Sequence, residues 1–292
     1  MNVARFPREL ERRPRAVAIG TFDGVHRGHQ AVIAAAVESS AGRTPTVVTF
    51  DPHPREVLGY EVELLSTLER RLELLAGLGV EETLVVEFTP ELAGLAPEEF
   101  LEAYVLAIGA ETLAAGESFR FGRGRTGDLA FGEHVGLHTR LVPLVPGVSS
   151  TAIRQLAAAG EVRAAAELLG RPLEVEGIVV SGDARGGTLG FPTANLRIDH
   201  SLLVPAYGIY AGAAGGNRAA VSIGVNPHYG GAERRIEAFL LDFEGDLYGS
   251  RLVLELWDRL RDEASFDSES ALVEQIAKDV EATRAATRPL TP

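Results

Sequence analysis

The chain contains no cysteine among its 292 residues, and only one methionine and one tryptophan. Without thiols it can form neither disulfides nor thiolate metal sites, so a reducing, cytoplasmic compartment is expected. Residues 1–15 carry several arginines but no apolar run of the length that a signal peptide or a membrane span requires. We therefore expect a soluble protein without a membrane partner.

Positive charge is also scarce. The 41 acidic residues outnumber the 28 lysines and arginines, which gives a formal net charge of -13. Because sequence-independent binding to nucleic acid depends on patches of Lys and Arg, this balance argues against a nucleic-acid partner. Small phosphorylated ligands are not excluded, since a few local Arg, His and backbone N–H groups can bind them inside an acidic protein.

The first 170 residues alternate short β-rich runs with helical patterns. Strands are expected at Ala16–Ile19 and Thr46–Phe50, with a helix from about Arg27 to Glu38 between them. A repeated strand, helix, strand order predicts a parallel sheet with right-handed crossovers. An Ala- and Leu-rich stretch from Thr151 to Leu169 is the expected last helix of this part. We predict an α/β parallel-sheet domain over residues 1–170.

From residue 171 onwards the pattern changes to short strands separated by glycine clusters. The predicted strands are Glu174–Val180, Gly208–Ala213, Ala219–Ile223, Ile236–Phe243 and Arg251–Trp257. Regularly spaced short strands with turn signals predict an antiparallel β-barrel. A terminal α-helix is expected from about Ser268 to Ala285, with Leu272, Ile276 and Val280 along one stripe. We predict a second domain over residues 171–292.

Residues 20–29 (GTFDGVHRGH) join the first predicted strand to the first helix. Open α/β sheets bind ligands at such places, and a helix N-terminus offers N–H groups and a partial positive charge to phosphate oxygens. His26 and His29 are three residues apart, so both rings can project to the same side of the first helical turn. The pattern indicates a phosphate-binding turn; the alternative is an ordinary glycine-rich helix start.

Three later segments also follow strands or open a helix. They are residues 49–54 (TFDPHP), 116–122 (GESFRFG) and 149–154 (SSTAIR). In the last, Ser150 and Thr151 make a capped helix start with Arg154 one turn inside, which suits a second phosphate clamp. The alternative there is a plain cap with a solvated arginine.

In this order, the four segments resemble the HxGH nucleotidylyltransferase superfamily, and the fuller form of residues 20–29 resembles its FAD synthetase branch. The resemblance implies a Rossmann-like sheet, ATP as co-substrate, Mg²⁺, and transfer of AMP to FMN with release of pyrophosphate. His26 and His29 would be catalytic residues that polarise the ATP phosphates. The ATP-binding residues implied by the resemblance are Gly20, Thr21, Phe22, Asp23, His26, Gly28, His29, Ser150, Thr151 and Arg154. The implied contacts to FMN or nucleotide are Phe50, His53, Pro54, Ser118 and Phe121.

A second glycine-rich loop, residues 182–190, runs into the polar segment Pro192-Thr193-Ala194-Asn195. Such a loop can fold over phosphates with its backbone N–H groups, or it can be a plain hairpin loop. Thr193 and Asn195 are alternate residues of a predicted strand, so a hydroxyl and a carboxamide face one side. Two hard oxygen donors beside nucleotide phosphates suit Mg²⁺.

This segment resembles the PTAN signature of riboflavin kinases, and by that resemblance Thr193 and Asn195 hold the metal and ATP. The kinase ATP site implied by it comprises Gly182, Asp183, Arg185, Gly190, Pro192, Thr193 and Asn195. The implied flavin-binding residues are Asn226, Arg261, Glu263 and Phe266. Glu237 matches the catalytic-Glu strand of the family and would accept the proton of the riboflavin 5′-hydroxyl.

Glu237 shares a strand face with Phe239, so we expect it to be buried as a general base; the alternative is a strand-end Glu paired with Arg234 or Arg235. Taken together, the sequence predicts a bifunctional enzyme that phosphorylates riboflavin and then adenylylates FMN. Two alternatives remain. One is a kinase with impaired adenylyl transfer, because Ser118 stands where the family usually has Asn or Asp, and the other is a non-catalytic flavin or nucleotide sensor.

Overall fold

The computed structural model describes residues 1–182, 190–225 and 234–289. The chain forms two compact units, Met1–Ser149 and Ser150–Pro292, each with its own core. Across the described ranges, every helix is too short or too polar to cross a membrane.

The first unit is built on a six-stranded sheet flanked by helices. Its strands are β1 (Asn2–Ala4), β2 (Arg15–Ile19), β3 (Thr44–Asp51), β4 (Glu82–Glu87), β5 (Ala110–Gly116) and β6 (His138–Val142). Its helices are α1 (Arg27–Glu38), α2 (Pro54–Val57), α3 (Leu68–Gly77), α4 (Pro90–Ala93), α5 (Pro97–Leu101) and α6 (Leu129–His134). All strand pairs are parallel, in the order β1-β4-β3-β2-β5-β6.

The order of the strands reverses at β2. The chain proceeds from β2 to β3 and β4 on one side of the sheet, and later fills the other side with β5 and β6. The loops that leave β2 and β5 therefore diverge at the carboxyl edge and leave a crevice, which is where open α/β sheets bind ligands. Residues 20–29 leave β2 at this point.

The central strands are buried on both faces, as expected for a parallel sheet covered by helices. Every residue of β2 is buried. Val17 and Leu113 belong to the core on one face, whereas Ala18 packs with Ile33 of α1 on the other. Arg15 is also fully buried, at the amino edge of the sheet, where its Nε donates to Glu82 Oε2 at 2.8 Å.

Two details of this unit differ from the sequence prediction. The edge strands β1 and β6 were not predicted, because three and five residues with little apolar alternation carry a weak strand signal. The π-helical turn Glu102–Leu106, which continues α5 beyond Leu101, was also not predicted. Such wide turns occur mostly as short insertions within α-helices.

The second unit is a closed antiparallel barrel with helices before and after it. Its strands are β7 (Leu173–Val180), β8 (Ala194–Arg197), β9 (Gly208–Ala214), β10 (Asn217–Val225), β11 (Arg234–Leu240) and β12 (Arg251–Arg261). They close in the order β10-β11-β8-β7-β12-β9, and the terminal helix α9 spans Glu269–Ala285. The predicted fold class is thus confirmed for both parts of the chain.

The stretch predicted as one helix up to Leu169 forms two, α7 (Ser150–Ala158) and α8 (Val162–Leu169). Gly160, with φ of 77°, breaks the helical run between them. Helix α8 packs on the barrel, and its Arg163 Nη2 donates to Asp258 Oδ2 of β12 at 2.6 Å. Both helices therefore belong to the second compact unit, although the functional boundary at residues 170 and 171 stays a prediction.

Candidate active sites

The turn between β2 and α1 has an unusual backbone. Phe22, Gly24 and Val25 have positive φ values of 53°, 74° and 41°. Positive φ is uncommon for residues with a side chain and costly for a β-branched valine, and such strain persists only where neighbouring structure enforces it. A Cβ on Gly24 would lie 2.8 Å from Leu65, so this position also requires glycine for space.

Side chains and backbone groups just before α3 hold the turn in this conformation. Asp23 is buried, and its Oδ1 accepts the Leu65 N–H at 2.9 Å. Ser66 Oγ accepts the Gly24 N–H at 3.2 Å. Both bonds fix the glycine turn against a segment that lies about forty residues later in the chain.

His26 and His29 meet at the N-terminus of α1, as predicted. His26 is the N-cap residue, and its Nδ1 accepts the His29 N–H at 3.3 Å. Since Nδ1 is the acceptor, neutral His26 carries its proton on Nε2, where it can donate to a phosphate oxygen. The two rings stack with centroids 3.6 Å apart, and a Cβ on Gly28 would lie 3.2 Å from the His26 ring. Gly28 therefore makes room for the histidine pair.

The His29 ring is held neutral by its surroundings. Burial, then the neighbouring His26, then Arg71 lower the pKa of His29 well below its ordinary value of 6.5. Its Nδ1 is buried without a hydrogen-bond partner in the described structure. The site therefore offers phosphates a helix N-terminus and, at His29, a neutral imidazole rather than an imidazolium charge.

The depressed pKa of His29 predicts a pH dependence of stability. Below pH 6.5 the unfolded chain binds a proton at this residue that the folded chain excludes, so stability falls as the pH drops and is unaffected above. We expect His29→Gln to lose less thermal stability than the wild type between about pH 7.5 and pH 5.5. The measurement is the unfolding midpoint of the first unit. Replacement of His134, which is exposed at the end of α6, is the control. If the unfolding midpoints of the wild type and of His29→Gln change equally with pH, the prediction is contradicted.

The end of β3 lies beside this turn. Thr49 Oγ1 donates to the Thr21 carbonyl at 3.0 Å, which ties β3 to the residue after the end of β2. His53 is buried and caps α2, where its Nδ1 accepts the Arg55 N–H at 3.1 Å. Pro54 is the first residue of α2. Their proposed contact with FMN or nucleotide stays a prediction.

Aromatic rings follow the same edge of the sheet. Phe50 and Phe121 both pack against Phe100, with ring centroids 6.1 Å and 5.6 Å apart. Tyr104 stacks on Phe100 at 5.5 Å. The sequence predicted Phe50 and Phe121 here but missed Phe100 and Tyr104, which lie in α5 and the turn after it, outside the recognised segments. Ser118, the position that usually carries Asn or Asp, is exposed after β5.

The second predicted phosphate clamp lies in the second compact unit. Ser150, Thr151 and Arg154 are in the first turns of α7, and Thr151 is exposed. Their role at the ATP of the first unit therefore stays a prediction.

In the barrel, the predicted metal and base residues are on neighbouring strands. Asn195 of β8 is directly opposite Glu237 of β11 and, on its other side, Val180 of β7. Side chains of directly opposed residues project to the same face of a sheet, so Asn195 and Glu237 point to one place. Gly182 faces the Asn195 carboxamide so closely that a Cβ would lie 2.3 Å from Nδ2.

Arg235 connects the two residues. Its Nε donates to Asn195 Oδ1 at 3.3 Å, and its Nη2 forms an ion pair with Glu237 Oε1. The expected burial of Glu237 is wrong: 27% of its side chain is exposed, because the buried face of β11 is formed by Ile236 and its alternates. Pairing with Arg235 is the alternative that the sequence left open.

The structure describes only some of the remaining residues predicted for the kinase site. Asp183, Arg185 and Asn226 lie outside the described residues. Gly190 has a φ of 86°, a value that suits glycine, and Pro192 is exposed. Thr193 lies immediately before β8, so only Asn195 is in the strand that was predicted to carry both residues. Their side chains offer oxygen donors of the kind that Mg²⁺ prefers, and their role as metal ligands stays a prediction. No group of three His, Cys, Asp or Glu in the described ranges could hold a metal ion.

Three of the predicted flavin-binding residues lie at the end of β12 or shortly after it. Arg261 is bound to Asp279 of α9, with Nη2 donating to Oδ2 at 2.7 Å and Nε to Oδ1 at 3.0 Å. Its guanidinium also lies 5.8 Å from the Phe266 ring centre. Glu263 lies against Gly224 of β10, and burial raises its pKa while Arg261 opposes the shift. Asp279, which the sequence missed, therefore fixes the arginine of this group.

Comparison with known proteins covers both units. A family model described as FAD synthetase matches residues 9–150, and one described as riboflavin kinase matches residues 169–287. The bifunctional riboflavin kinase/FMN adenylyltransferase of Listeria monocytogenes is 36% identical over 288 residues, covering 93% of this chain and 92% of that protein. The Escherichia coli protein of the same name is 34% identical over 300 residues, covering 96% of each. A crystal structure described as a macrolide-efflux protein from Streptococcus pneumoniae matches with a TM-score of 0.87 at 32% identity, covering 97% of this chain and 98% of that one.

Proposed function

Because the chain belongs to the bifunctional riboflavin kinase/FMN adenylyltransferase family, we propose that it converts riboflavin to FMN in the barrel and FMN to FAD at the parallel sheet. ATP is the co-substrate of both steps, and the acceptors are small molecules rather than nucleic acid. The observation that carries the proposal is the presence in one chain of the Asn195–Glu237 pair and the His26–His29 pair, each inside its own family match.

In the kinase step, Glu237 accepts the proton of the riboflavin 5′-hydroxyl as the oxygen attacks the γ-phosphorus of ATP. The bond between the β,γ-bridging oxygen and the γ-phosphorus breaks, and ADP leaves. Arg235 has to release Glu237 for this role, since the two side chains form an ion pair. Thr193 and Asn195 would hold Mg²⁺, which neutralises phosphate charge when it is bound.

In the adenylyl step, an FMN phosphate oxygen attacks the α-phosphorus of a second ATP, and pyrophosphate leaves. His26 Nε2–H and the N–H groups of the first turn of α1 bind the phosphate oxygens on which charge develops. His29 contributes as a neutral imidazole. Phe50 and Phe121, which are buried and pack against Phe100, are the proposed aromatic contacts to FMN. No covalent enzyme intermediate is needed.

The lack of cysteine supports a cytoplasmic location, and the formal charge of -13 supports small-molecule rather than nucleic-acid partners.

A product time course tests the proposal. With riboflavin, ATP and Mg²⁺, we expect FMN to form first and FAD to follow after a lag, because the FMN released by one step is the substrate of the other. The measurement is chromatographic separation of the three flavins. No FMN at any time would contradict the kinase assignment.

A kinase with little adenylyl transfer is the second candidate, and the exposed Ser118 favours it because a short side chain replaces the usual Asn or Asp. Incubation with FMN, ATP and Mg²⁺ separates the candidates: FAD and pyrophosphate support the bifunctional enzyme, and their absence supports the kinase alone.

A further inference from the structure

Arg71 is a buried cation that neither the sequence motifs nor the proposed mechanism uses. It lies on α3, and only 1% of its surface is exposed. Arg71 and Leu75 are the buried residues of this helix, four positions apart on one stripe. A charge at a core position costs free energy unless it is bound by polar groups, whereas an apolar side chain there would not.

The hydrogen bonds of Arg71 join the two strand ends that form the candidate site. Its Nη1 donates to the carbonyl of Thr21, after β2, at 3.1 Å, and to the carbonyl of Phe50, in β3, at 2.9 Å. The same nitrogen lies 3.3 Å from Thr49 Oγ1. One guanidinium nitrogen of Arg71 therefore links the start of the turn between β2 and α1 to the Phe50 end of β3.

The charge of Arg71 also faces the site. Burial lowers the pKa of its guanidinium, and the carboxylates of Asp23 and Asp51 oppose that shift. The cation also contributes to the low pKa of His29. Its Nε is buried without a hydrogen-bond partner in the described structure. Burial of the Arg71 charge thus costs free energy. A residue that only linked two strands would not need to carry a charge.

We propose that Arg71 is a positioning residue for adenylyl transfer, which holds the strained turn after β2 and the Phe50 end of β3 in one fixed relation. This inference rests on the proposed function of the first unit. In the proposed function the turn binds the ATP phosphates and the Phe50 end of β3 lies at the FMN site, so the link made by Arg71 sets the approach of the FMN phosphate to the α-phosphorus. Displacement of reacting groups by about 1 Å costs on the order of a hundredfold in rate.

The test compares two buried arginines of the first unit, one on α3 and one in β2. Arg15 is as buried as Arg71 but lies at the amino edge, paired with Glu82, away from the predicted site. We expect Arg71→Met to lower kcat for FAD formation by about a hundredfold, with KM for ATP and FMN changed by less than about fivefold. Arg15→Met should lower the unfolding midpoint yet keep this kcat within about threefold of wild type. Riboflavin kinase activity of each variant, measured in the same preparation, reports on the intact second unit.

Arg71→Lys provides the graded comparison, because it keeps the charge but loses the planar guanidinium; we expect about a tenfold loss of kcat. Full FAD activity in Arg71→Met, or an equal loss in Arg15→Met, overturns the inference. If Arg71→Met does not fold, the Lys variant decides: a reduced kcat at an unchanged midpoint supports the inference, and an unchanged kcat overturns it. Wild-type protein that makes no FAD would instead overturn the proposed function, and the inference with it.

Discussion

Replacement of Glu237 by Gln is expected to reduce FMN formation by on the order of a thousandfold, the range typical of a lost general base. Gln keeps the shape of the side chain but cannot accept the proton of the 5′-hydroxyl. It also removes the ion pair with Arg235, while the histidine pair proposed for adenylyl transfer lies in the other compact unit. FAD formation from added FMN should therefore continue at the wild-type rate.

Glu176 offers a matched control for this prediction, because it is also a barrel carboxylate paired with an arginine, Arg251. Glu176→Gln removes such a pair between β7 and β12 rather than one on β11, so both activities should persist. The measurement is FMN from riboflavin and FAD from FMN, assayed separately. Equal loss of both activities in Glu237→Gln would contradict two independent sites, and retained FMN formation would remove Glu237 as the base.

Replacement of His29 by Ala should lower FAD formation by about a hundredfold to a thousandfold, which is the usual effect of deleting one donor to a developing oxyanion. The ring stacks on His26 and supports its orientation, so the loss affects both imidazoles. FMN formation from riboflavin should be unchanged, because His29 lies in the first unit.

His134→Ala is the control for His29→Ala, since it removes an exposed histidine from the same unit. Each variant is assayed for FAD from FMN and ATP after its unfolding midpoint has been compared with that of the wild type. Unchanged FAD production by His29→Ala would exclude this residue from the site.

Much of the fold could be predicted because the local sequence patterns agree with the elements that the tertiary structure forms. The buried run of β2 and the helix from Arg27 to Glu38 were predicted within a residue or two, since strands buried on both faces and capped helices have strong patterns. The break at Gly160 was missed because helix propensity on both sides is high. The short strand β1 depends on its pairing with β4, which local sequence does not encode.

The candidate sites were predictable where a motif brings its residues together along the chain. His26 and His29 are close together in one helical turn. Asn195 is beside Glu237 through the pairing of β8 with β11, which was not predicted. The burial of Glu237 was mispredicted because both faces of β11 carry apolar residues, so alternation did not decide which one faces inward. The only sign of Arg71 in the sequence is a cation at a position on the apolar face of an amphipathic helix. Its partners are backbone carbonyls, which no sequence pattern marks.

The two units expose their backbones to other chains in different ways. A closed barrel has no edge strand, whereas the sheet of the first unit ends at β1 and β6, and Leu141 of β6 is 62% exposed. Unpaired N–H and C=O groups along an edge can pair with a strand of another molecule. Self-association of this protein in concentrated solution should therefore begin at the edges of the adenylyltransferase sheet, and the kinase barrel should remain a monodisperse module.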